Sequence, residues 1–159
     1  MKSKKSGFTL VEILIVVIIL GILAAVVIPQ FSDASDDTRA SSTGTNLKTV
    51  RSQLQLYKAQ HNEQYPPSFE TQMITFTDVS HNTNATQTAV FRFGPYMLRV
   101  PANPYTGINT ITTVDDAATP YSAAADMNQG WWYNSVTGEF RCHVPDSVVD
   151  ASGAQVNAM

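Results

Sequence analysis

One cysteine, Cys142, in 159 residues excludes a disulfide within the chain and leaves no paired-cysteine motif for a metal or a dithiol. Charge is sparse as well. Only 14% of the residues are Asp, Glu, Lys or Arg, and no basic residue occurs between Lys5 and Arg39. Glycine-framed nucleophile turns, phosphate-cradling glycine loops and His-Glu-x-x-His pairs are all missing, so the abundant Ser and Thr have no recognisable base or orienter. Enzymatic activity is not expected.

What the chain does have is a long apolar run. Residues 8 to 28 are hydrophobic except for Thr9, Glu12 and the small Gly21. At ~1.5 Å rise per residue a helix of that length crosses the ~30 Å hydrocarbon core of a bilayer. An ionisable group within such a segment costs roughly 2.5 to 3.5 kcal/mol at the bilayer centre and less near an interface, so Glu12 requires a partner. Lys2, Lys4 and Lys5 precede the run while Asp33, Asp36 and Asp37 follow it, which orients the N-terminus towards the cytoplasm. Setting Lys2, Lys4, Lys5 and Glu12 aside leaves 7 basic and 12 acidic residues, a net charge of about −5 for the exported part. Specific nucleic-acid binding is not expected of so acidic a domain.

A cleaved secretory signal has the same basic start, but its apolar region is typically ~7 to 15 residues long and ends at a small-residue site. A plain membrane anchor explains the length but neither the Gly7-Phe8 junction nor an acid five residues beyond it. The third alternative accounts for both: Gly7-Phe8-Thr9-Leu10-Val11-Glu12 resembles the start of a type IV prepilin. By that resemblance, Met1 to Gly7 is a short leader removed by a prepilin peptidase between Gly7 and Phe8. Phe8 becomes the N-methylated first residue, and Glu12 occupies the acidic fifth position of the mature family. Pro29 falls where many members carry a helix-bending proline. The resemblance further implies that Glu12 of one subunit pairs with the Phe8 amine of a neighbour inside a filament.

Beyond the apolar run the helix is expected to continue, with Pro29 bending or interrupting it. Residues 32–46 are polar and contain Gly44 with several Ser, Thr and Asp, so local fraying is expected there. Leu47, Val50, Leu54 and Tyr57 then alternate in spacings of three and four, which places them on one helical face able to pack on a sheet. The helix should stop before Tyr65-Pro66-Pro67. Residues 68–90 are expected to form a variable loop with one short helix or strand. Gly94-Pro95-Tyr96 and the segment 101–107 are turns around a short apolar element, Met97 to Val100. Trp131 to Tyr133 and Glu139 to Val144 read as a strand pair, joined through residues 134–138 with Gly138 at a positive φ.

The head narrows the resemblance. Leu54-Gln55-Leu56-Tyr57-Lys58 followed by Tyr65-Pro66 looks like the helix end of major pseudopilins of type II secretion systems. Tyr96, Leu98, Val100-Pro101 and Asn103-Pro104-Tyr105 resemble the proline-containing segment before their sheet. Two departures stand out. Major pseudopilins often bind calcium in an acidic C-terminal loop, where this chain places its strand pair, and many type IVa pilins close that region with a disulfide that a lone Cys142 cannot form. Calcium is carried as a minor expectation on Asp115, Asp116 and Asp126, which lack the regular acidic ladder of a loop site. No other cofactor or metal is expected. Cys142 and His143 point to opposite faces of a strand, so a packed or semi-exposed thiol is expected rather than a metal site. His61 and His81 read as surface residues, Trp131 and Trp132 as one inward and one outward side chain, and Asn84-Ala85-Thr86 as a chance glycosylation pattern.

The expected fold is therefore α+β: a pilin fold whose long N-terminal helix has a transmembrane half and an amphipathic half, packed on a small antiparallel sheet. Its expected parts are a leader (1–7), a transmembrane and polymerisation helix (8–28), an amphipathic extension (29–63) and a head (64–159). The expected function is a structural subunit of a homo-oligomeric filament, most simply a pseudopilin of a type II secretion system. Its partners would be the prepilin peptidase, membrane lipid, an inner-membrane assembly platform and minor pilin-like subunits. The expected location is the bacterial inner membrane, single-pass with a cytoplasmic N-terminus, with the assembled filament in the periplasm or at the cell surface. Alternatives are a surface type IV pilin serving adhesion, twitching or DNA uptake, and a membrane-tethered binding domain that never polymerises.

Overall fold

The computed structural model describes residues 7–122, 128–150 and 152–158, with residues 28–33 described as helical backbone only. The chain divides into two compact units, Met1–Asp37 and Thr38–Met159. One helix, α1 (Leu10–Gln60), contributes to both. In the first unit, the stretch Leu10–Val27 is 0% buried and presents apolar side chains on every side. Such a surface does not persist in water, so lipid or other helices must cover it.

In the second unit α1 turns one face inward. Ala40, Thr43, Leu47, Val50, Leu54 and Tyr57 are all buried, so the stripe legible from Leu47 to Tyr57 begins a full two turns earlier. This is why the fraying expected over residues 32–46 does not occur and α1 is continuous. Small Ala40 and Thr43 keep the periodicity, while the Thr45 and Thr49 hydroxyls donate to the carbonyls of Ser41 (3.0 Å) and Thr45 (2.9 Å) and so remain within the helix. α1 ends at Gln60. Asn62 and Glu63 then take left-handed backbone angles (φ 52° and 62°), and the Glu63 amide donates to the Lys58 carbonyl at 3.0 Å.

Residues 68–90 are more ordered than a loop. They hold α2 (Phe69–Ile74) and a short antiparallel ladder of β1 (Phe76–Thr77) with β2 (Thr83–Asn84). Buried Phe69 and Met73 supply the reason, since both face the core. Met97 to Val100 forms no regular element: Tyr96 and Val100 are buried on either side of Leu98, which is 95% exposed.

The main sheet has the order β3 (Ile111–Val114), β4 (Trp131–Asn134), β5 (Phe140–Cys142). β4 and β5 form the expected antiparallel pair, with Tyr133 opposite Phe140 and Gly138 at φ 73° in the connection. The sheet as a whole is mixed rather than antiparallel, because β3 runs parallel to β4. Parallel pairing needs a long return connection, and residues 115–130 provide it.

The tryptophans also depart from expectation, since both are buried. Trp131 stacks on Phe140 at 5.3 Å and its indole donates to the Pro101 carbonyl at 2.7 Å. Trp132, on the other face, meets the edge of Tyr121 at 5.6 Å. Phe69 packs on both Tyr133 and Phe140 at 5.1 Å, and Arg51 of α1 donates to the Phe140 carbonyl at 2.9 Å, tying helix to sheet. Beneath Trp131, the buried Asn103 amide donates to the carbonyls of Gly130 (2.6 Å) and His143 (3.3 Å) and seats the 101–107 turn on the strand pair.

Gly130 is required by this close approach. A Cβ there would collide with the Ile108 carbonyl oxygen, a backbone atom that cannot swing aside. Gly130→Ala should lower the stability of the head by about 1 to 3 kcal/mol, the usual scale of overpacking, read as a reduced denaturant midpoint. An unchanged midpoint would mean that the turn shifts at no cost.

Candidate functional site

The residues singled out by the sequence gather where α1 begins. Gly7 and Phe8 lie ahead of the helix, both exposed, with Phe8 at 76%. Thr9 caps it. Its hydroxyl accepts from the Glu12 amide at 3.3 Å, and its own amide donates to Glu12 Oε2 at 3.5 Å. This reciprocal pair is a capping box, which satisfies two of the backbone donors that every helix start leaves open and also suits the positive end of the helix dipole. The signal was present in the sequence as Thr9-Leu10-Val11-Glu12, a threonine three residues before a glutamate at the head of an apolar run. Glu12 therefore has a role within its own chain that the assembly reading overlooked. Among the described residues nothing else reaches its carboxylate, so the second oxygen remains open to a donor from outside.

The leader proper, residues 1–6 with Lys2, Lys4 and Lys5, lies outside the described residues. So does any bend at Pro29: helical backbone passes through that position, which rules out interruption, but residues 28–33 are described no further.

The family described as the prokaryotic N-terminal methylation motif matches residues 2–28. Type II secretion system core protein G of Pseudomonas aeruginosa is 34% identical over 104 residues, covering 65% of this chain and 70% of that protein. Its counterpart in Aeromonas hydrophila is 31% identical over 104 residues, with the same 65% and 70% coverage. The chain belongs to this core protein G family. This pseudopilin also has relatives among pilins: a fimbrial protein of P. aeruginosa is 54% identical over 53 residues, covering 31% of this chain and 34% of that protein. No solved structure matches significantly.

On the head of this pseudopilin the chemically suggestive residues are engaged in packing. Cys142 is fully buried, and burial pushes its thiol up to about 12, so it is no nucleophile at neutral pH. His143 is buried beside Tyr121, the ring centroids 5.9 Å apart. Asp116 fixes its own loop by accepting from the Ala118 amide (2.9 Å) and the Thr119 hydroxyl (3.1 Å). Asp115 is exposed, and Asp126 lies outside the described residues. Among the described residues no group of three or more His, Cys, Asp or Glu converges as a metal site, which gives the calcium expectation no geometric support. Asn84 uses its side-chain oxygen to accept from the Thr86 amide at 3.0 Å, closing a tight turn. His61 contradicts its expected place at the surface. It is fully buried, held between Tyr57 and Thr77, while His81 is half-buried beside it.

Proposed function

We propose that this pilin-like subunit is stored as a single-pass inner-membrane protein with a cytoplasmic N-terminus and is drawn into a helical pseudopilus in the periplasm. A prepilin peptidase cuts between Gly7 and Phe8, and the new amine of Phe8 is methylated and stays cationic. Glu12 of one subunit then pairs with Phe8 of the next as their apolar helices come together. An assembly platform in the inner membrane and minor pilin-like subunits serve as its partners, and the growing filament supports protein export. The role is structural, with residues 8–28 as polymerisation helix, 29–63 as its amphipathic extension and 64–159 as the head.

The observation that carries this reading is the Leu10–Val27 helix with no buried residue, headed by an acid one of whose oxygens has no donor among the described residues. A lone subunit leaves both features unsatisfied, and a neighbour of the same kind answers both. Mass spectrometry of the mature protein tests the first step: the expected chain starts at N-methylated Phe8. A retained Met1 to Gly7 leader on a monomeric membrane protein would instead establish the tethered, non-polymerising alternative.

The 54% identity to a fimbrial protein over 53 residues favours a second reading, a surface pilus subunit. A deletion strain separates the two: loss of secretion with intact motility supports the pseudopilus, and the reverse supports the surface pilus.

A further inference from the structure

The far end of α1 carries a stack of rings to which the proposed assembly assigns no part. Tyr57 lies flat on the imidazole of His61, with centroids 3.8 Å apart and planes 5° from parallel. His81, from the turn between β1 and β2, approaches His61 at 5.2 Å and Tyr57 at 5.7 Å. Both histidines are engaged at both nitrogens. His61 Nδ1 lies 2.9 Å from the Tyr57 carbonyl oxygen, an atom that only accepts, so Nδ1 bears the hydrogen and Nε2 accepts from the Thr77 hydroxyl at 3.0 Å. His81 Nε2 lies 3.0 Å from Gln64 Oε1 and Nδ1 2.7 Å from the Tyr57 hydroxyl. The network thus assigns the hydrogen of His81 to Nε2 and makes Nδ1 the acceptor of the phenol.

A further proton finds no vacant place in this arrangement. On His81 Nδ1 it removes the acceptor of the buried Tyr57 hydroxyl. On His61 Nε2 it puts a charge on a ring with no solvent exposure and reverses the bond to Thr77. Two imidazolium rings 5.2 Å apart also repel. Burial holds both rings below the ordinary histidine value, and for His81 the neighbouring His61 adds to the effect.

The surrounding charges do not cancel it. On the β1–β2 turn Asp78 favours the charged forms, but its carboxylate is already occupied by the Ser80 and Asn82 amides (2.8 and 2.9 Å) and by Asn82 Nδ2 (2.8 Å). On α1 and the turn after it, Lys58 and Glu63 face each other at 3.7 Å. From the segment before the main sheet come neutral Tyr96, 5.1 Å from the Tyr57 ring, and Arg92, whose cation sits over Phe93, itself edge-on to His61 at 5.3 Å. The β1–β2 turn depends on these bonds. His81 holds a left-handed φ of 66°, uncommon outside glycine, while its carbonyl accepts from Gln72 Nε2 at 2.8 Å.

We propose that Tyr57, His61 and His81 form an acid-released latch: neutral, they fasten the β1–β2 ladder and its turn to the end of α1, and protonation frees them. The proposal stands independently of the filament reading. The closed form binds fewer protons than the open one, so closure is complete above the ordinary histidine range, near pH ~6.5, and weakens as pH falls below it.

Amide hydrogen exchange of the full chain in detergent micelles tests this, with rates corrected for the intrinsic effect of pH. Protection over residues 76–84 should change little between about pH 7.5 and about pH 6.5, then fall towards about pH 5 by up to roughly tenfold per pH unit for each proton taken up on opening, while residues 47–56 of α1 stay protected. His81→Gln should reduce the acid sensitivity of residues 76–84, and imidazole resonances of both histidines should titrate below the ordinary value. Protection independent of pH, full acid sensitivity retained in His81→Gln, or ordinary or raised histidine titrations would each overturn the latch.

Discussion

A Glu12→Leu chain should reach the membrane in normal amount and yield filaments at a small fraction of the wild-type level, or filaments of altered subunit register. Leucine removes an insertion cost of roughly 2.5 to 3.5 kcal/mol at most, so the defect cannot lie in insertion. In the proposed assembly it lies in what the substitution leaves behind, the cationic amine of Phe8 with no counter-charge in an apolar bundle. Stranding one partner of a buried pair costs on the order of 3 to 5 kcal/mol, which is roughly a hundredfold to several thousandfold in the association constant of each added subunit. Quantifying filaments in sheared or membrane fractions against total subunit checks the effect, and normal yield with normal helical geometry would remove the pairing from the account.

The capping box adds a control, because Glu12→Gln retains an oxygen able to accept from the Thr9 amide but carries no charge. Assembly restored by glutamine would show that the acid serves the helix start within its own chain. Failure of glutamine alongside leucine isolates the charge.

The second large effect is expected in the head. Trp131→Ala should cost about 3 to 5 kcal/mol, the range for emptying a fully buried aromatic site, and it also strands the Pro101 carbonyl that now accepts the indole hydrogen. A domain with a total stability of roughly 5 to 15 kcal/mol has little left after such a loss. Near-ultraviolet circular dichroism and urea unfolding should show a largely loosened head in the variant, whereas Trp131→Phe keeps the stacking on Phe140 and gives up mainly the hydrogen bond, about 1 to 3 kcal/mol. An unfolding midpoint for Trp131→Ala equal to the wild type would mean that the sheet face is not the centre of the core.

These two regions differ in how much of them the sequence discloses. Glu12 and the Gly7-Phe8 junction stand out through their spacing along one apolar run, and the stripe from Leu47 to Tyr57 through its alternation of three and four, both of which are local patterns. The pair of strands around Gly138 is local too. What escaped is set by contacts between distant segments. The parallel direction of β3 against β4 depends on where residues 115–130 return the chain. Trp132 is covered by Tyr121, eleven positions earlier, and a strand's alternation cannot reveal that its second face has a lid. His61 is buried because Thr77 and His81 close over it from the β1–β2 ladder, sixteen and twenty positions later. Fraying over residues 32–46 was expected from composition alone, and Ala40 and Thr43 show that small residues in phase with the stripe hold a helix against a sheet as larger ones do.

Val156 and Asn157 are among the last described residues, yet both are buried: Asn157 Nδ2 donates to the Val144 carbonyl at 3.3 Å and to Asp146 Oδ1 at 2.6 Å, and Arg141 donates to the Asn157 carbonyl. During synthesis, then, β5 waits uncovered until Val156 and Asn157 have been added. A nascent head stalled around residue 145 would show an incomplete edge to whatever chaperone or protease is nearby, and an affinity tag fused directly after this turn would load the piece that covers β5.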